Sequence, residues 1–450
     1  MKRSFAHVLA KAYNNETRRR LEAELQLALF TTPAYCTWQK RDPGEGSDIF
    51  NRLAALPALS KSDLRFHGPQ GFIPAGRDLA QGLASGEIEL VSTSGTTSDQ
   101  VTNAWYQPWW DSSEAESWQL NRFARQAATG DHREAILTSP LCSGVPCEEA
   151  LLPQTQRRIG RFLFLSERSD PRTWDDDLME RMVTELNAYQ PVLLEANPSF
   201  LTILARYILR TGKQVYRPQL ITFTYEVPSL LHYRLCARAF GAPLASSYGT
   251  TETGYVFMEC DYGCLHQVTN NVHVDWLPLH PQHGGPSVGQ MLVTTIGNPW
   301  RALLRFDVGD LARLAGSQCP CGRTEGLTLA SIEGRVINLT FTPDGRAVTL
   351  GEVDRAVAEV SGLVEYQLVQ TGSAEYALSA VIEGARPEEA RGTLAEALQR
   401  VYGPTAVVHI TLVKAIAPDP PGKYKLVKSV LSAQSNTLLD SEFAPLPLEA

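Results

Sequence analysis

The feature that most constrains the fold is an alternation of helical and apolar extended patterns between residues 174 and 249. In chain order it comprises helix 174–189, strand 191–197, helix 198–212, strand 219–225, helix 228–240 and the segment 243–249. Asn197 is a suitable N-cap and Pro198 a suitable first residue for the second of these helices. Strands that are apolar throughout are typical of a parallel sheet with helices on both faces.

Composition excludes several classes of protein. The chain has 450 residues, of which 43% are hydrophobic, and a formal net charge of −8. The apolar fraction argues against general disorder, and the acidic balance argues against a nucleic-acid binder. No apolar run is long enough for a membrane span, and the charged N-terminal region is unlike a secretory signal. We therefore expect a cytoplasmic protein that binds neither nucleic acid nor membrane.

The N-terminal and C-terminal regions differ from the middle of the chain in their patterns of apolar and polar residues. Residues 15–31 form an amphipathic helical pattern with Leu21, Leu25 and Leu29 on one face. Beyond about residue 335, helical and extended patterns form a compact α+β unit of roughly 100 residues, a normal size for a small domain. The segment after residue 432 resembles a tail.

Four polar motifs are candidates for chemistry, and each also has a plain structural interpretation. They are the hydroxyl-rich segment 91–98, the segment 246–254, the segments 304–310 and 332–335 taken together, and the loop 420–425. Hydroxyls around a glycine can bind polyphosphate, although ordinary turns have the same composition. Tyr248 can stack on a purine, Thr251 can donate to a phosphate, and Glu252 can hold Mg²⁺. Asp310 at a strand end can bind ribose hydroxyls, whereas Lys423 alone is nondescript.

In this order and spacing the motifs resemble those of the adenylate-forming superfamily of acyl-CoA synthetases, luciferases and adenylation domains, and most of all its phenylacetate-CoA ligase branch. STSGTTS resembles the phosphate loop, SYGTTE the Tyr-Gly-x-x-Glu motif, RFDVGD the Tyr-Arg-Thr-Gly-Asp motif, EGR the hinge and PPGK the C-terminal lysine loop. The resemblance covers about residues 50–430. It implies an α/β fold with a large N-terminal domain of mixed and parallel sheets (1–334), a small mobile α+β C-terminal domain (335–432) and a tail (433–450).

The resemblance also implies an activity. A small, aryl carboxylic acid would be activated by ATP as an acyl-adenylate, with release of pyrophosphate, and then transferred to CoA as a thioester. Lys423, Glu252 and Thr251 would be catalytic, with Mg²⁺ on Glu252. The nucleotide would be bound by Ser92, Thr93, Ser94, Gly95, Thr96, Thr97, Tyr248, Gly249, Thr250, Asp310 and Arg335. The acyl pocket would include Tyr225, Glu226, Ser139 and Gly144, and the first two of these suggest an amino or hydroxyl group on the substrate.

The cysteines suggest a metal site. Of the eight cysteines, Cys260, Cys264, Cys319 and Cys321 form two tight pairs, a pattern that in an intracellular chain favours metal binding over disulfides. In the resembling branch several members carry a structural Zn²⁺ here, which implies Cys260, His266, Cys319 and Cys321 as ligands. Cys264 is an alternative to His266, and free thiols are the alternative to a metal.

Departures from the family leave the acceptor open. At the hinge, Gly-Arg-x-Asp-Asp is expected, but the chain has Gly334-Arg335-Val336-Ile337-Asn338, and a β-branched Ile337 is stiffer than Asp. Adenylation is therefore better supported than thioester formation. An acyl or peptidyl carrier protein, or an amine, is an alternative acceptor to CoA, and an inactive nucleotide-binding scaffold is a more remote alternative. The oligomeric state is open, with a homodimer as one arrangement to test.

Overall fold

The computed structural model describes residues 13–93, 100–126, 132–142, 145–148, 151–419, 423–431 and 435–442. Contacts within the chain group it into two units. The first unit comprises Met1–Arg122, Ser247–Ser331 and Leu438–Ala450, and the second comprises Phe123–Ser246 and Ile332–Thr437. The domain boundaries that the sequence suggests at 334 and 432 remain a prediction, since this grouping follows contacts rather than motifs.

The first unit begins with helices. Its α-helices are Asn15–Thr31, Ile49–Ala54, Lys61–His67, Leu79–Ser85 and Gln107–Trp118. The first has the predicted bounds and buries Leu21, Leu25 and Leu29, and the Asn14 side chain caps it by accepting a hydrogen bond from the Thr17 N–H at 2.8 Å. Among the described residues of the chain, no helix is both long and apolar enough to cross a membrane.

The first unit also contains an extended sheet. Its neighbouring strands, in spatial order, are Val272–Pro278, Val288–Thr295, Phe306–Leu314, the start of Thr328–Arg335, Leu265–Gln267, Gly254–Glu259 and the end of Leu244–Thr250. The first two of these strands are paired antiparallel and buried at every residue. A separate antiparallel hairpin joins Glu89–Ser92 to Thr102–Trp105. This hairpin and the strand Leu244–Thr250 carry two of the predicted nucleotide motifs.

The second unit contains the alternating elements that the sequence predicts. Its strands, in spatial order, are the start of Leu244–Thr250, Leu220–Phe223, Leu193–Ala196, Glu134–Leu137, Phe162–Phe164 and Arg158–Ile159. All neighbours are parallel except the last pair. Its helices before residue 246 are Gln154–Arg157, Asp176–Tyr189, Pro198–Thr211 and Leu230–Phe240. The Asn197 side chain caps the third helix by accepting from the N–H groups of Ser199 and Phe200, as predicted.

The C-terminal part of the second unit is the predicted α+β structure. Its sheet has the order Val407–Leu412, Glu375–Ile382, Leu363–Gln370 and Val427–Ser429, and its helices are Leu350–Val357, Pro387–Tyr402 and Ser435–Leu438. A short hairpin precedes them, in which Thr340–Phe341 pairs antiparallel with Ala347–Val348.

The two parts of the second unit share a hydrophobic core. Val364, Val381 and Ile416 of the C-terminal part belong to the same buried cluster as Phe200 and Leu201 of the helix Pro198–Thr211. The C-terminal sheet is therefore packed against this helix, which determines the surroundings of the predicted catalytic lysine.

Candidate active site

The hydroxyl-rich motif connects the two strands of the hairpin in the first unit. The Thr93 N–H donates to the Val101 carbonyl at 3.0 Å, and the Val101 N–H donates to Thr93 Oγ1 at 3.1 Å. Ser92 Oγ lies 3.2 Å from Thr102 Oγ1. Ser92 and Thr93 therefore belong to the base of the hairpin, whereas Ser94, Gly95, Thr96 and Thr97 lie outside the described residues.

The Tyr-Gly motif forms a tight turn at the end of the strand Leu244–Thr250. The Thr253 N–H donates to the Thr250 carbonyl at 3.1 Å, and the two threonine hydroxyls lie 2.9 Å apart. A Cβ atom at Gly249 would lie 2.3 Å from the Gly254 carbonyl oxygen, so only glycine fits there. Thr251 and Glu252 occupy the middle of this turn.

A direct hydrogen bond joins the second and third motifs. The Tyr248 hydroxyl donates to Asp310 Oδ2 at 2.8 Å, across 62 residues of sequence. Asp310 is buried in the strand Phe306–Leu314. The two side chains therefore lie together in the first unit, and their roles towards the base and the ribose of a nucleotide remain a prediction.

Glu252 is a buried carboxylate beside a cation. Its side chain is almost fully buried, and Lys61 Nζ lies 3.6 Å from Oε1. Among the described residues, Oε1 has no hydrogen-bond partner. Because an unsatisfied buried acceptor is costly, and carboxylate oxygens are the ligands that Mg²⁺ prefers, Glu252 fits the predicted metal-binding role.

Arg301 was not predicted by any motif, yet it contacts both the turn of the Tyr-Gly motif and the hairpin strand Thr102–Trp105. Its guanidinium donates to Asn103 Oδ1 at 2.5 Å, to the Thr251 carbonyl at 3.2 Å and to the Glu252 carbonyl. Burial lowers the pKa of Arg301 to about 10, and the negative charge of Glu252 opposes this shift. Arg301 thus ties the strand Thr102–Trp105 of the hydroxyl-rich hairpin to the turn that carries Glu252.

Lys61 was also missed, since it begins a short helix and belongs to no motif. Burial raises the pKa of Asp307, the nearby charge of Asp310 raises it further, and Lys61 lowers it. Lys61 therefore faces both Glu252 and the third motif. Arg305, the arginine within that motif, is buried and donates to the Leu53 carbonyl at 2.7 Å.

The predicted catalytic lysine, Lys423, and the predicted hinge arginine, Arg335, belong to the second unit. The backbone of Lys423 pairs with that of Asp419, with N···O distances of 3.1 and 2.8 Å, while residues 420–422 lie outside the described part. Arg335 is exposed and follows Gly334, whose φ is +94°. The preceding Glu333 is buried and accepts from Thr349 and Arg355. These contacts attach the hinge segment to the helix Leu350–Val357.

The predicted acyl-pocket residues differ in their surroundings. Ser139 is buried, and its Oγ has no hydrogen-bond partner among the described residues. Tyr225 is exposed and has a φ of +69°. Both carboxylate oxygens of Glu226 accept hydrogen bonds from groups of the same unit, Ser199 and Tyr424. Gly144 lies outside the described residues.

The four predicted zinc ligands lie together in the first unit. One ligand atom from each of Cys260, His266, Cys319 and Cys321 lies within 4.8 Å of the others. Cys260 Sγ is 3.6 Å from Cys319 Sγ, and Cys321 Sγ is 3.1 Å from His266 Nε2. Burial lowers the pKa of His266 to about 4, which keeps the imidazole neutral as a ligand must be.

The donor set fits a structural metal. Three thiol groups and one imidazole are the ligands of closed tetrahedral Zn²⁺ sites, where the metal crosslinks the chain and performs no chemistry. His266 Nδ1 lies 3.3 Å from Thr328 Oγ1, the kind of outer contact that orients a ligating imidazole. Cys264 does not belong to this group of four, although its carbonyl accepts the Cys260 N–H at 2.8 Å.

Comparison with known proteins rests on structure alone. No protein-family model matches the chain, and no curated protein matches it. Among solved structures, 2-hydroxyisobutyryl-CoA ligase in the postadenylation state with 2-HIB-AMP is 16% identical, with a TM-score of 0.68 over 92% of this chain and 88% of that one. The open conformation of that ligase, with 2-HIB-AMP and CoA, gives a TM-score of 0.55 over 92% and 91%.

A second ligase has the same fold. The anthranilate CoA ligase AuaEII in complex with anthranoyl-AMP is 9% identical, with a TM-score of 0.52 over 75% of this chain and 65% of that one. The chain therefore has the fold of adenylate-forming CoA ligases, which confirms the fold predicted from the motifs. At these identities the likeness concerns the fold, and the phenylacetate-CoA ligase branch remains a prediction.

Proposed function

We propose that this chain is an AMP-forming acid–thiol ligase. It activates a small, aryl carboxylic acid as an acyl-adenylate, as the phenylacetate-CoA ligase branch does, and transfers the acyl group to CoA. The observation that supports the proposal is the contact between Tyr248 and Asp310, together with the buried carboxylate of Glu252 in the same unit, in a chain with the fold of CoA ligases. The structures with this fold include complexes with acyl-adenylates and with CoA.

In the first step, a carboxylate oxygen of the acid attacks the α-phosphorus of ATP, and the bond to pyrophosphate breaks. Two anions must approach each other, so the site has to supply positive charge and fixed donors. Asp310 would bind the ribose, Tyr248 the adenine, and Thr251 with the hydroxyl-rich loop the phosphates. Glu252 would hold Mg²⁺, which when bound supplies positive charge to the phosphates, and Lys423 would add an ammonium group.

In the second step, a thiol sulfur attacks the acyl carbonyl carbon, AMP leaves, and the thiol proton is released. CoA is the proposed acceptor. The altered hinge favours one alternative, a carrier-protein phosphopantetheine, because Ile337 replaces an acidic residue and is 70% exposed. Ser139, whose buried hydroxyl lacks a partner among the described residues, is the better-supported pocket residue for contact with the acid.

The test is ATP–pyrophosphate exchange with a panel of aryl and hydroxy carboxylic acids, followed by mass analysis of thioesters formed with CoA or with a carrier protein. Lys423→Ala should lower exchange by roughly 100-fold or more while ATP still binds, as measured by calorimetry. Lys425→Ala is the matched control, because Lys425 is exposed and lies 3.5 Å from Asp419; it should change exchange by less than about threefold.

Other outcomes would redirect the proposal. Normal exchange in Lys423→Ala, with loss in the Lys425 or Lys428 variant, would reject Lys423 as the catalytic lysine. Absence of exchange with every acid, together with retained ATP binding, would favour the inactive nucleotide-binding scaffold. Thioester on the carrier protein but not on CoA would select the alternative acceptor.

A further inference from the structure

Glu226 binds the backbone directly next to the predicted catalytic lysine. Its Oε1 accepts a hydrogen bond from the Tyr424 N–H at 2.6 Å, and its Oε2 accepts one from Ser199 Oγ at 2.9 Å. Both contacts lie within the second unit. The peptide group that donates to Glu226 is the one that joins Lys423 to Tyr424, so its position fixes where the Lys423 side chain leaves the backbone.

The side chain of Tyr424 anchors the same point from the other side. Its ring is buried and packs edge-on against Phe200, with ring centroids 6.4 Å apart. The aromatic ring alone would leave the backbone free to rotate about it. Because the amide is bound by a carboxylate, a charge-assisted hydrogen bond removes this freedom.

We propose that Glu226 is a positioning residue for Lys423: by binding the Tyr424 amide, it holds the lysine segment (residues 423–431) where the Lys423 ammonium can act in adenylate formation. This inference rests on the proposed function, since it assigns Lys423 that role. Glu226 then positions Lys423 and does not contact the acyl substrate.

Titration of Glu226 provides a second readout. Burial raises the pKa of Glu226 to about 7, against the lowering effects of the Tyr424 amide, Asn197, Ser199 and the Lys423 charge. Other charged groups act on the neighbouring Tyr424: the carboxylates of Glu365 and Asp170, and the guanidinium of Arg172. Burial favours the protonated carboxyl, whereas the hydrogen bond from the Tyr424 amide favours the ionised carboxylate. The contact itself is therefore tightest when Glu226 is ionised, and it weakens as pH falls through about 7.

The test compares three variants of the full chain by residue-resolved hydrogen exchange and by ATP–pyrophosphate exchange. Glu226→Ala should raise the exchange rate of the Tyr424 amide by about tenfold or more, and should lower kcat by a similar factor with KM for ATP unchanged. Glu226→Gln keeps an acceptor oxygen, so it should retain protection of the amide but lose its dependence on pH between about 5 and 8.

Arg206→Ala is the matched control. Arg206 lies on the same helix as Ser199. Its Nε donates to Glu383 Oε1 at 3.1 Å, and its Nη1 lies 3.7 Å from Glu365 Oε2, so its ion pairs do not involve the Tyr424 amide. It should leave protection of that amide within about twofold of the unmodified protein, as expected for a partly exposed ion pair. Circular dichroism and the melting temperature show whether each variant is folded.

The proposal is overturned if Glu226→Ala leaves the amide protected, or if Arg206→Ala exposes it equally, because the contact would then be part of general packing. If Glu226→Ala does not fold, Glu226→Gln decides the question. An unchanged pH dependence of the protection of the Tyr424 amide in Glu226→Gln would also overturn the proposal. Hydrogen exchange needs no substrate, so it tests the Glu226 contact even in a chain without adenylation activity. Absence of that activity would contradict the proposed function only.

Discussion

At the scale of single residues, Arg301 organises the candidate site of the first unit. Its guanidinium is buried and donates to one side-chain oxygen and two backbone carbonyls, those of Asn103, Thr251 and Glu252. A planar group with several fixed donors can serve such separated acceptors at once, whereas an ammonium group cannot. Arg301 therefore holds the turn of Glu252 against the hydroxyl-rich hairpin.

Arg301→Lys should lower both stability and activity. Loss of the guanidinium leaves buried acceptors without donors, so we expect the free energy of unfolding to fall by about 2–4 kcal/mol in urea titrations. Pyrophosphate exchange should fall by at least about tenfold at temperatures where the variant is folded. Arg19→Ala is the control, because Arg19 is exposed and only 3.8 Å from Glu16 in a surface pair. Full exchange activity in Arg301→Lys would contradict this role.

At the scale of elements, the Cys/His cluster joins two turns of the first unit. Cys260 follows the strand Gly254–Glu259, and His266 lies on the paired strand Leu265–Gln267. Cys319 and Cys321 belong to a turn whose next residue, Gly322, has a φ of +80°. A metal bound here would crosslink segments about 60 residues apart and stabilise the sheet between them.

We expect about one Zn²⁺ per chain when the protein is purified without a chelator, as measured by elemental analysis. Cys319→Ser and His266→Ala should lose the metal and melt at a lower temperature, because each removes one of four ligands. Cys264→Ser should keep the metal, and Cys36→Ser is the exposed control. Loss of zinc in Cys264→Ser but not in His266→Ala would show that Cys264, and not His266, is the fourth ligand. Absence of zinc from every preparation would contradict the proposed metal site.

The elements that the sequence predicted are those with a strong local signal. The helices Asn15–Thr31 and Pro198–Thr211 follow from apolar periodicity, and the second follows also from its capping residue Asn197. Mixed sheets were predicted for the large domain, but the individual antiparallel strands of the first unit were not. Strands such as Val288–Thr295 are buried at every residue, so they lack the alternation that identifies a strand, and their partners are decided by contacts distant in sequence.

At the scale of the whole molecule, the sequence identified candidate motifs for the chemistry but not the residues that contact and support them. Tyr248 and Asp310 were predicted from motifs, and the hydrogen bond between them agrees with a shared site. Lys61, Arg301 and the role of Glu226 could not be found in this way, because a single lysine, arginine or glutamate has no distinctive sequence neighbours. Their importance arises from burial and from partners that only the folded chain brings close.

If an acyl-adenylate forms, an oxygen atom of the acid is transferred to AMP, and isotope labelling can follow this transfer. With the acid that gives the fastest exchange, labelled with ¹⁸O in its carboxylate, attack on the α-phosphorus places one labelled oxygen in AMP after thioester formation. We expect ¹⁸O in AMP, found by mass spectrometry, with the other labelled oxygen retained in the acyl-CoA. Appearance of the label in inorganic phosphate together with ADP, or AMP free of label, would contradict it.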